Sequence, residues 1–289
     1  MRRRRKQEKR RIGLGRRAEE GRRSRGAARR LRWLALLAFL AVCGLVAALA
    51  AFLAFGAGSS EPPGPPTAAI VDQLALTFPN LDFLQAATDT LEEVGYAVDY
   101  YPGEEVSVDF YRDLPTRGYD YLVLRVHSAG ILHERGGRTS TDKPFLFTAE
   151  PYEGTKHVED QMAGNLAGVH YSEDDPVYLF GIGGGFIRSS MKGDFDGATV
   201  ILMGCDALKS DTAASAFVDK GAGVVIGWDG GVSASHTDAA TERLLHHLLI
   251  DKLGIQEAVA RTMTEIGPDP SYGSKLLVYP PEASASAPH

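Results

Sequence analysis

Cysteine is scarce in this chain of 289 residues, which contains two, Cys43 and Cys205. Cys43 lies in an uncharged apolar stretch, where cysteine behaves as a small hydrophobic residue. Cys205 is the single thiol of the remaining chain, so a disulfide scaffold is excluded there. An inert buried thiol and a reactive one are equally compatible with the cysteine count. The surroundings of Cys205 must decide between them.

The sequence also lacks the spacings typical of metal and nucleotide sites. No HExxH pair is present, and one available thiol cannot build a cysteine-based zinc site. The glycine-rich segment 181–185 lacks the Lys-Ser/Thr of a P-loop and the spacing of a GxGxxG motif. We therefore expect no metal and no cofactor, and a tight turn at Gly181–Gly185.

Charged residues are absent from Leu34 to Phe55, a run dominated by Leu, Ala, Val and Phe. It is long enough for a helix that crosses a bilayer, which needs about 20 apolar residues. Residues 1–33 carry 16 of the 31 Lys and Arg residues and three acidic residues. The sequence predicts a disordered cytoplasmic tail at 1–33, a single transmembrane helix at 34–56 in contact with lipid, and an extracytoplasmic remainder. The alternative is a cleaved signal peptide, for which both regions are unusually long.

Positive charge is sparse in the rest of the chain. Residues 34–289 hold 15 basic and 34 acidic residues, a net charge of −19. A domain this acidic is not expected to bind nucleic acid. A Pro-rich linker at 57–67 precedes it, and a disordered tail is predicted at 281–289. The folded domain is expected to span residues 68–280.

Apolar strands alternate with amphipathic helices along this domain. Strands are predicted at 68–76, 96–101, 119–126, 177–180, 199–203, 221–227 and 275–279, and an edge strand or hairpin arm at 145–149. Helices are predicted at 81–94, 106–114, 157–166, 212–220, 238–249 and 255–266. This order favours an α/β fold with a mostly parallel central sheet. We expect substrate-binding elements in the irregular region between His127 and Thr199.

Two predicted strands end on groups with complementary chemistry. Tyr119–Val126 is followed by His127, and Thr199–Met203 is followed by Gly204 and Cys205. Ligands bind outside the carboxyl ends of strands in open α/β sheets, so the imidazole and the thiol are expected to meet there. The pair suits acyl transfer, with Cys205 as nucleophile, His127 as general acid, and backbone N–H groups near Gly204 and Ser128 as oxyanion donors.

Asp229 follows the next predicted strand and could face the same crevice. Its side chain could recognise a substrate or cap the Asp229-Gly-Gly turn, and the residues alone leave both roles open.

Three motifs together resemble the caspase-like cysteine peptidases, nearest to their separase, gingipain and CHAT-domain branch. They are strand-His127-Ser-Ala-Gly130, strand-Leu202-Met-Gly-Cys205, and Gly223-Val-Val-Ile-Gly-Trp-Asp229. The resemblance implies a three-layer αβα fold, a His127–Cys205 dyad that cleaves a protein or peptide, and Asp229 in a pocket for a basic P1 residue.

Two positions depart from the family pattern. Ser128 stands where glycine is usual, and Asp206 follows the cysteine, where its charge is expected to raise the thiol pKa. An inactive caspase-like surface module and a thiol amidase or transpeptidase are the alternative functions.

Overall fold

The computed structural model describes residues 41–42, 44–45, 64–134, 137–172 and 176–283. The chain divides into two units, Met1–Gly64 and Pro65–His289. In the first unit, the four described residues between 41 and 45 are helical and exposed. The predicted tail 1–33, the rest of the span 34–56, most of the linker and residues 284–289 lie outside the described ranges. Within those ranges, no helix has the length and apolar character needed to cross a bilayer.

A six-stranded sheet forms the centre of the second unit, with strand order β10-β9-β8-β3-β1-β2. Its strands are parallel except for β10, which runs antiparallel to β9. Strands buried on both faces need continuous apolar runs, and β3, β8 and β9 consist entirely of buried residues. The strands are β1 (Thr67–Asp72), β2 (Ala97–Pro102), β3 (Tyr121–Leu124), β8 (Thr199–Leu202), β9 (Val224–Trp228) and β10 (Leu276–Tyr279).

Helices cover both faces of this sheet. Each face packs against its helices through a separate apolar core. The helices are α1 (Leu81–Glu93), α2 (Val108–Asp113), α3 (Val158–Met162), α4 (Gly184–Ser189), α5 (Thr212–Asp219), α6 (Ala234–Leu245) and α7 (Ile255–Glu265). One core contains apolar residues of α1, α6 and α7, and the other contains those of α2, α4 and α5. Successive residues of a strand alternate between the two cores: Val200 and Leu202 face one, and Ile201 and Met203 the other.

A second sheet is formed by much of the long region between His127 and Thr199. Its order is β4-β5-β7-β6, all antiparallel. The strands are β4 (Ser128–Glu134), β5 (Gly137–Pro151), β6 (Leu166–Val169) and β7 (Leu179–Ile182). The predicted hairpin arm at 145–149 lies within β5. This sheet begins at the residue after His127, so it is anchored directly to the candidate site.

Two local predictions in this region are wrong. The expected turn at Gly181–Gly185 is the end of β7 followed by the start of α4, and none of its glycines has a positive φ. These glycines allow close packing instead, because a Cβ on Gly184 would lie 2.7 Å from the Thr212 carbonyl oxygen. The helix predicted at 157–166 ends at Met162, because the chain turns at Gly164 with φ of +72° before β6.

Candidate active site

Strand register brings the segments that carry His127 and Cys205 to the same edge of the sheet. β3 and β8 are adjacent and parallel, and Leu124 pairs with Leu202. His127 lies three residues beyond Leu124, and Cys205 three residues beyond Leu202. The two chains therefore leave the sheet at the same level, at its carboxyl edge.

A cavity of about 460 Å³ opens at this edge, and both His127 and Cys205 line it. Its other lining residues are mostly apolar. They are Leu74, Phe78, Val126, Met203, Gly204, Val232, Ser233, Ala234, Ser235, Thr237 and Tyr272. None of the described lining residues is Asp, Glu, Lys or Arg. The cavity therefore brings the predicted nucleophile and the predicted acid to a common, largely apolar space.

The His127 ring is held by Thr77. Its Nε2 lies 2.7 Å from the Thr77 hydroxyl, which in turn donates to the Leu74 carbonyl oxygen at 3.2 Å. A hydroxyl has one proton to give. When Thr77 donates that proton to Leu74, it accepts from Nε2–H and leaves Nδ1 as the basic nitrogen. The rings of Phe147 and Tyr171 pack beside the imidazole, with centroids 5.7 and 5.0 Å away. Both belong to the region 128–198, which therefore supports His127 although none of its described residues lines the cavity.

Burial keeps His127 uncharged. Removal of the ring from water, with a smaller effect of the nearby Arg125 guanidinium, lowers the pKa of His127 to about 4. At neutral pH the ring is therefore a neutral base.

Cys205 is also uncharged in this environment. Burial raises the pKa of its thiol, and the Asp206 and Asp269 carboxylates raise it further, against the hydrogen bond from Val232. Sγ lies 3.4 Å from the Val232 amide nitrogen and 3.5 Å from its carbonyl oxygen. The predicted effect of Asp206 is confirmed in direction, although burial is the larger cause. A six-residue turn separates Cys205 from α5, so the N-terminus of that helix does not act on the thiol.

Ser128 and Gly204 form the contact between the two strand ends. The Ser128 hydroxyl donates to the Cys205 carbonyl oxygen. A Cβ on Gly204 would lie 2.5 Å from the Val126 carbonyl oxygen, so this close approach requires glycine. Gly204 lines the cavity and Ser128 does not. Their predicted role as oxyanion donors stays a prediction, and their visible role is to join the His127 and Cys205 segments.

Asp229 lies at the end of β9, as the sequence indicated, but outside the cavity wall. Its carboxylate accepts from the Lys275 amide at 2.7 Å, and its own amide donates to the Lys275 carbonyl oxygen at 3.1 Å. These bonds fix the start of β10. Its predicted role in substrate recognition stays a prediction.

A buried ion network beneath His127 was not found from the sequence. Arg125 is fully buried, and its guanidinium contacts the carboxylates of Asp72 and Asp238, each at 2.7 Å. It also donates to the Phe78 carbonyl oxygen at 2.8 Å. One residue thus connects the end of β1, the end of β3 and helix α6 immediately below the cavity. The sequence feature that could have predicted this network is the arginine inside the apolar run Tyr121–Val126.

Asp269 is a second residue that sequence reasoning missed. It is 1% exposed and accepts hydrogen bonds from both the amide and the hydroxyl of Ser233 and from the amides of Ser271 and Tyr272. Burial acts to raise its pKa, but these four donors lower the pKa of Asp269 to about 2. Asp269 therefore ties together the two segments that carry Ser233 and Tyr272 into the cavity wall. The signal was the sequence Asp269-Pro-Ser, which favours a turn closed by the aspartate side chain.

The chain resembles solved structures in fold. No family model matches the chain, and no curated protein matches it. Among solved structures, the chain resembles the Arg specific cysteine proteinase gingipain R, with a TM-score of 0.41 and 9% sequence identity. The match covers 69% of this chain and 42% of that one, so this chain spans less than half of that protein's length. The resemblance predicted from the motifs included the gingipains, and this match is to a gingipain. The activity of this site is inferred from its own geometry.

Proposed function

We propose that this chain is a cysteine peptidase in which Cys205 is the nucleophile and His127 the general base and acid. The observation that carries the proposal is that both residues line one cavity, at matching positions beyond the paired strands β3 and β8. Thr77 adds a third member, because it orients the imidazole as a carboxylate or amide does in other hydrolytic triads.

The proposed reaction begins from neutral partners. As Sγ attacks the scissile carbonyl carbon, the thiol proton passes to Nδ1 of His127. The imidazolium then gives this proton to the leaving amine as the C–N bond breaks, which leaves a thioester on Cys205. Water attacks the thioester after losing a proton to His127, and the acid product leaves as Sγ recovers its proton. Thr77 accepts a hydrogen bond from Nε2–H throughout.

Replacement of Thr77 by valine is expected to lower kcat/KM roughly tenfold or more, because the ring loses the acceptor that fixes its tautomer. Thr77→Ser keeps the hydroxyl and should retain most of the activity. The readout is peptide hydrolysis as a function of pH for both variants. Equal losses in the two variants would assign Thr77 a packing role instead.

The cavity lining favours an uncharged, apolar residue at P1. Leu74, Met203 and Val232 supply apolar walls, and the Ser233 and Thr237 hydroxyls already donate within the protein. Asp229, on which the predicted preference for Arg or Lys depends, lies outside this wall. A basic P1 residue would need a carboxylate from beyond the cavity.

The N-terminal sequence supports a location for this activity. We propose that residues 34–56 anchor the chain in the cell membrane as a single span, with the basic N-terminus in the cytoplasm and the catalytic domain outside. The support is the uncharged run 34–55 beside a segment with a net charge of +13.

The alternative function is a binding module without catalysis. The raised thiol pKa favours it, because burial and the Asp206 and Asp269 carboxylates hold Cys205 in its unreactive form. An intact cavity with an inert thiol would then serve to bind a peptide.

The experiment that separates these functions is labelling of the full chain with peptidyl acyloxymethyl ketones carrying Leu, Phe, Arg, Lys or Asp at P1. We expect labelling at Cys205 that is lost in Cys205→Ala and strongly reduced in His127→Ala, with the apolar probes reacting fastest. His157→Ala is the matched control, because His157 pairs with Glu150 and does not line the cavity. Failure of every probe to label folded protein would support the binding module. Fastest reaction with Arg or Lys would restore the role predicted for Asp229.

A further inference from the structure

A cluster of two histidines and one aspartate lies where helix α6 ends. His246, His247 and Asp251 each offer one donor atom, and these atoms all lie within 4.8 Å of one another. Nδ1 of His247 is 2.7 Å from Asp251 Oδ2, and Nδ1 of His246 is 3.5 Å from the same oxygen. The cluster is outside the cavity that holds His127 and Cys205.

The local backbone explains why these side chains meet. Residues His246–Ile250 form a π-helical turn rather than a continuation of α6. In an α-helix, residues five apart point in different directions, whereas the wider π turn brings residues 246 and 251 to one side. Such π-helical turns are often found at functional sites. The helix predicted at 238–249 thus changes its winding where the cluster lies.

Two buried nitrogen atoms of this cluster lack hydrogen-bond partners. Among the described residues, Nδ1 of His246 and Nε2 of His247 are buried side-chain atoms with no hydrogen bond. The His247 side chain is 0% exposed, so bulk solvent does not reach Nε2. Leaving a buried polar atom unpaired costs about 1–3 kcal/mol, so each needs an explanation.

A bound cation would satisfy both nitrogens. Nδ1 of His246, Nδ1 of His247 and a carboxylate oxygen of Asp251 would be its ligands. The proton that Nδ1 of His247 now shares with Asp251 would move to Nε2, which lies 3.4 Å from Oε2 of Glu265. A ligating histidine that gives its other N–H to a carboxylate is the usual second shell of a zinc site.

We propose that His246, His247 and Asp251 form a binding site for a divalent first-row transition metal, with Zn²⁺ as the best fit. In a tetrahedral zinc site with ordinary Zn–N and Zn–O bond lengths, neighbouring ligand atoms lie about 3.4 Å from one another. The distance between His246 Nδ1 and Asp251 Oδ2 is close to this value. The side chains of His246 and Asp251 are 43% and 33% exposed, so the fourth position opens to water. Arg243 and Arg261 both bind Glu265 and offset its charge. This assignment differs from the expectation from sequence that no metal binds, which rested on the absence of an HExxH pair and of a cysteine-based zinc site.

The test is titration of metal-free full chain with Zn²⁺ by calorimetry, with Co²⁺ absorption as a check of tetrahedral coordination. We expect one equivalent to bind to the unaltered chain and to Cys205→Ala, which removes the thiol as a competing ligand. His246→Ala and Asp251→Asn should each weaken binding by at least about 10–100-fold, the loss typical of altered zinc-site residues. His157→Ala, another paired histidine, should bind as the unaltered chain does.

Each outcome of this titration either supports or contradicts the proposed zinc site. Absence of stoichiometric Zn²⁺ binding, or binding that survives both His246→Ala and Asp251→Asn, would overturn the proposal. Loss of binding in Cys205→Ala would move the metal to the candidate active site. A melting curve for each variant identifies any that fails to fold, and Asp251→Asn keeps the size and acceptor oxygen of the original side chain. None of these readouts requires peptidase activity.

Discussion

Replacement of Arg125 by methionine is expected to destabilise the domain by about 3–5 kcal/mol, the cost of leaving buried charges without their partner. Arg125 is fully buried, and its loss would strand the carboxylates of Asp72 and Asp238 beneath the cavity. Burial already raises the pKa of Asp72, with Arg125 acting against this effect. Equilibrium unfolding in urea, followed by circular dichroism, measures the loss.

A surface ion pair of the same length provides the control. Arg188 meets Asp219 at 2.7 Å, but their side chains are 37% and 58% exposed. Arg188→Met should therefore cost under about 1 kcal/mol. The triple variant Asp72→Asn, Arg125→Met, Asp238→Asn removes the stranded charges and should recover part of the stability. A loss in Arg125→Met no greater than that in Arg188→Met would contradict the proposed importance of the network.

Alkylation of Cys205 by iodoacetamide is expected to accelerate about 100-fold between pH 7 and pH 9, and to continue rising above pH 9. The thiolate is the reactive form, and the pKa of this thiol is raised above its ordinary value, so the thiolate fraction grows about tenfold per pH unit throughout this range. His127, with a pKa of about 4, stays neutral over the same range and adds no step. The rate is followed by mass spectrometry of the Cys205 peptide, which separates it from Cys43.

A profile that is flat above about pH 5 would contradict this expectation, because it would indicate a preformed thiolate–imidazolium pair. Asp206→Asn should shift the rise to lower pH, since its charge contributes to the raised pKa of the thiol. Asp196→Asn is the matched control. Both aspartates have a positive φ, 59° at Asp206 and 48° at Asp196, which asparagine tolerates well.

The middle of the central sheet was predictable because β3, β8 and β9 are buried along their whole length. Such strands need apolar residues at nearly every position, as in Val200–Leu202, and this pattern is visible locally in the sequence. For the same reason, the sequence alone predicted that His127 and Cys205 follow the ends of strands. That β3 and β8 are neighbours was an inference from chain order, which the observed register supports.

The parts that were missed depend on contacts between residues far apart in sequence. Arg125 and Asp238 are 113 positions apart, and the sequence records no link between them. The contact of Thr77 with His127 could not be predicted for the same reason, since the two residues are 50 positions apart. A threonine that follows a short 3-10 helix, here Gln73–Leu76, also has many ordinary roles. The turn predicted at Gly181–Gly185 was wrong because glycine is equally common in turns and at positions where two segments pack closely.

The bonds of Asp269 also determine how the cavity responds to a ligand. Because four hydrogen bonds hold the segments of Ser233 and Tyr272 in place, this wall is already in its final shape before anything binds. Binding of a ligand therefore costs little conformational entropy in this part of the protein. The conformational entropy that the ligand itself loses is then the larger entropic cost of binding. Since the pKa of Asp269 is about 2, this wall keeps its shape wherever His127 and Cys205 titrate. Changes in reactivity with pH would thus not arise from loss of these four hydrogen bonds.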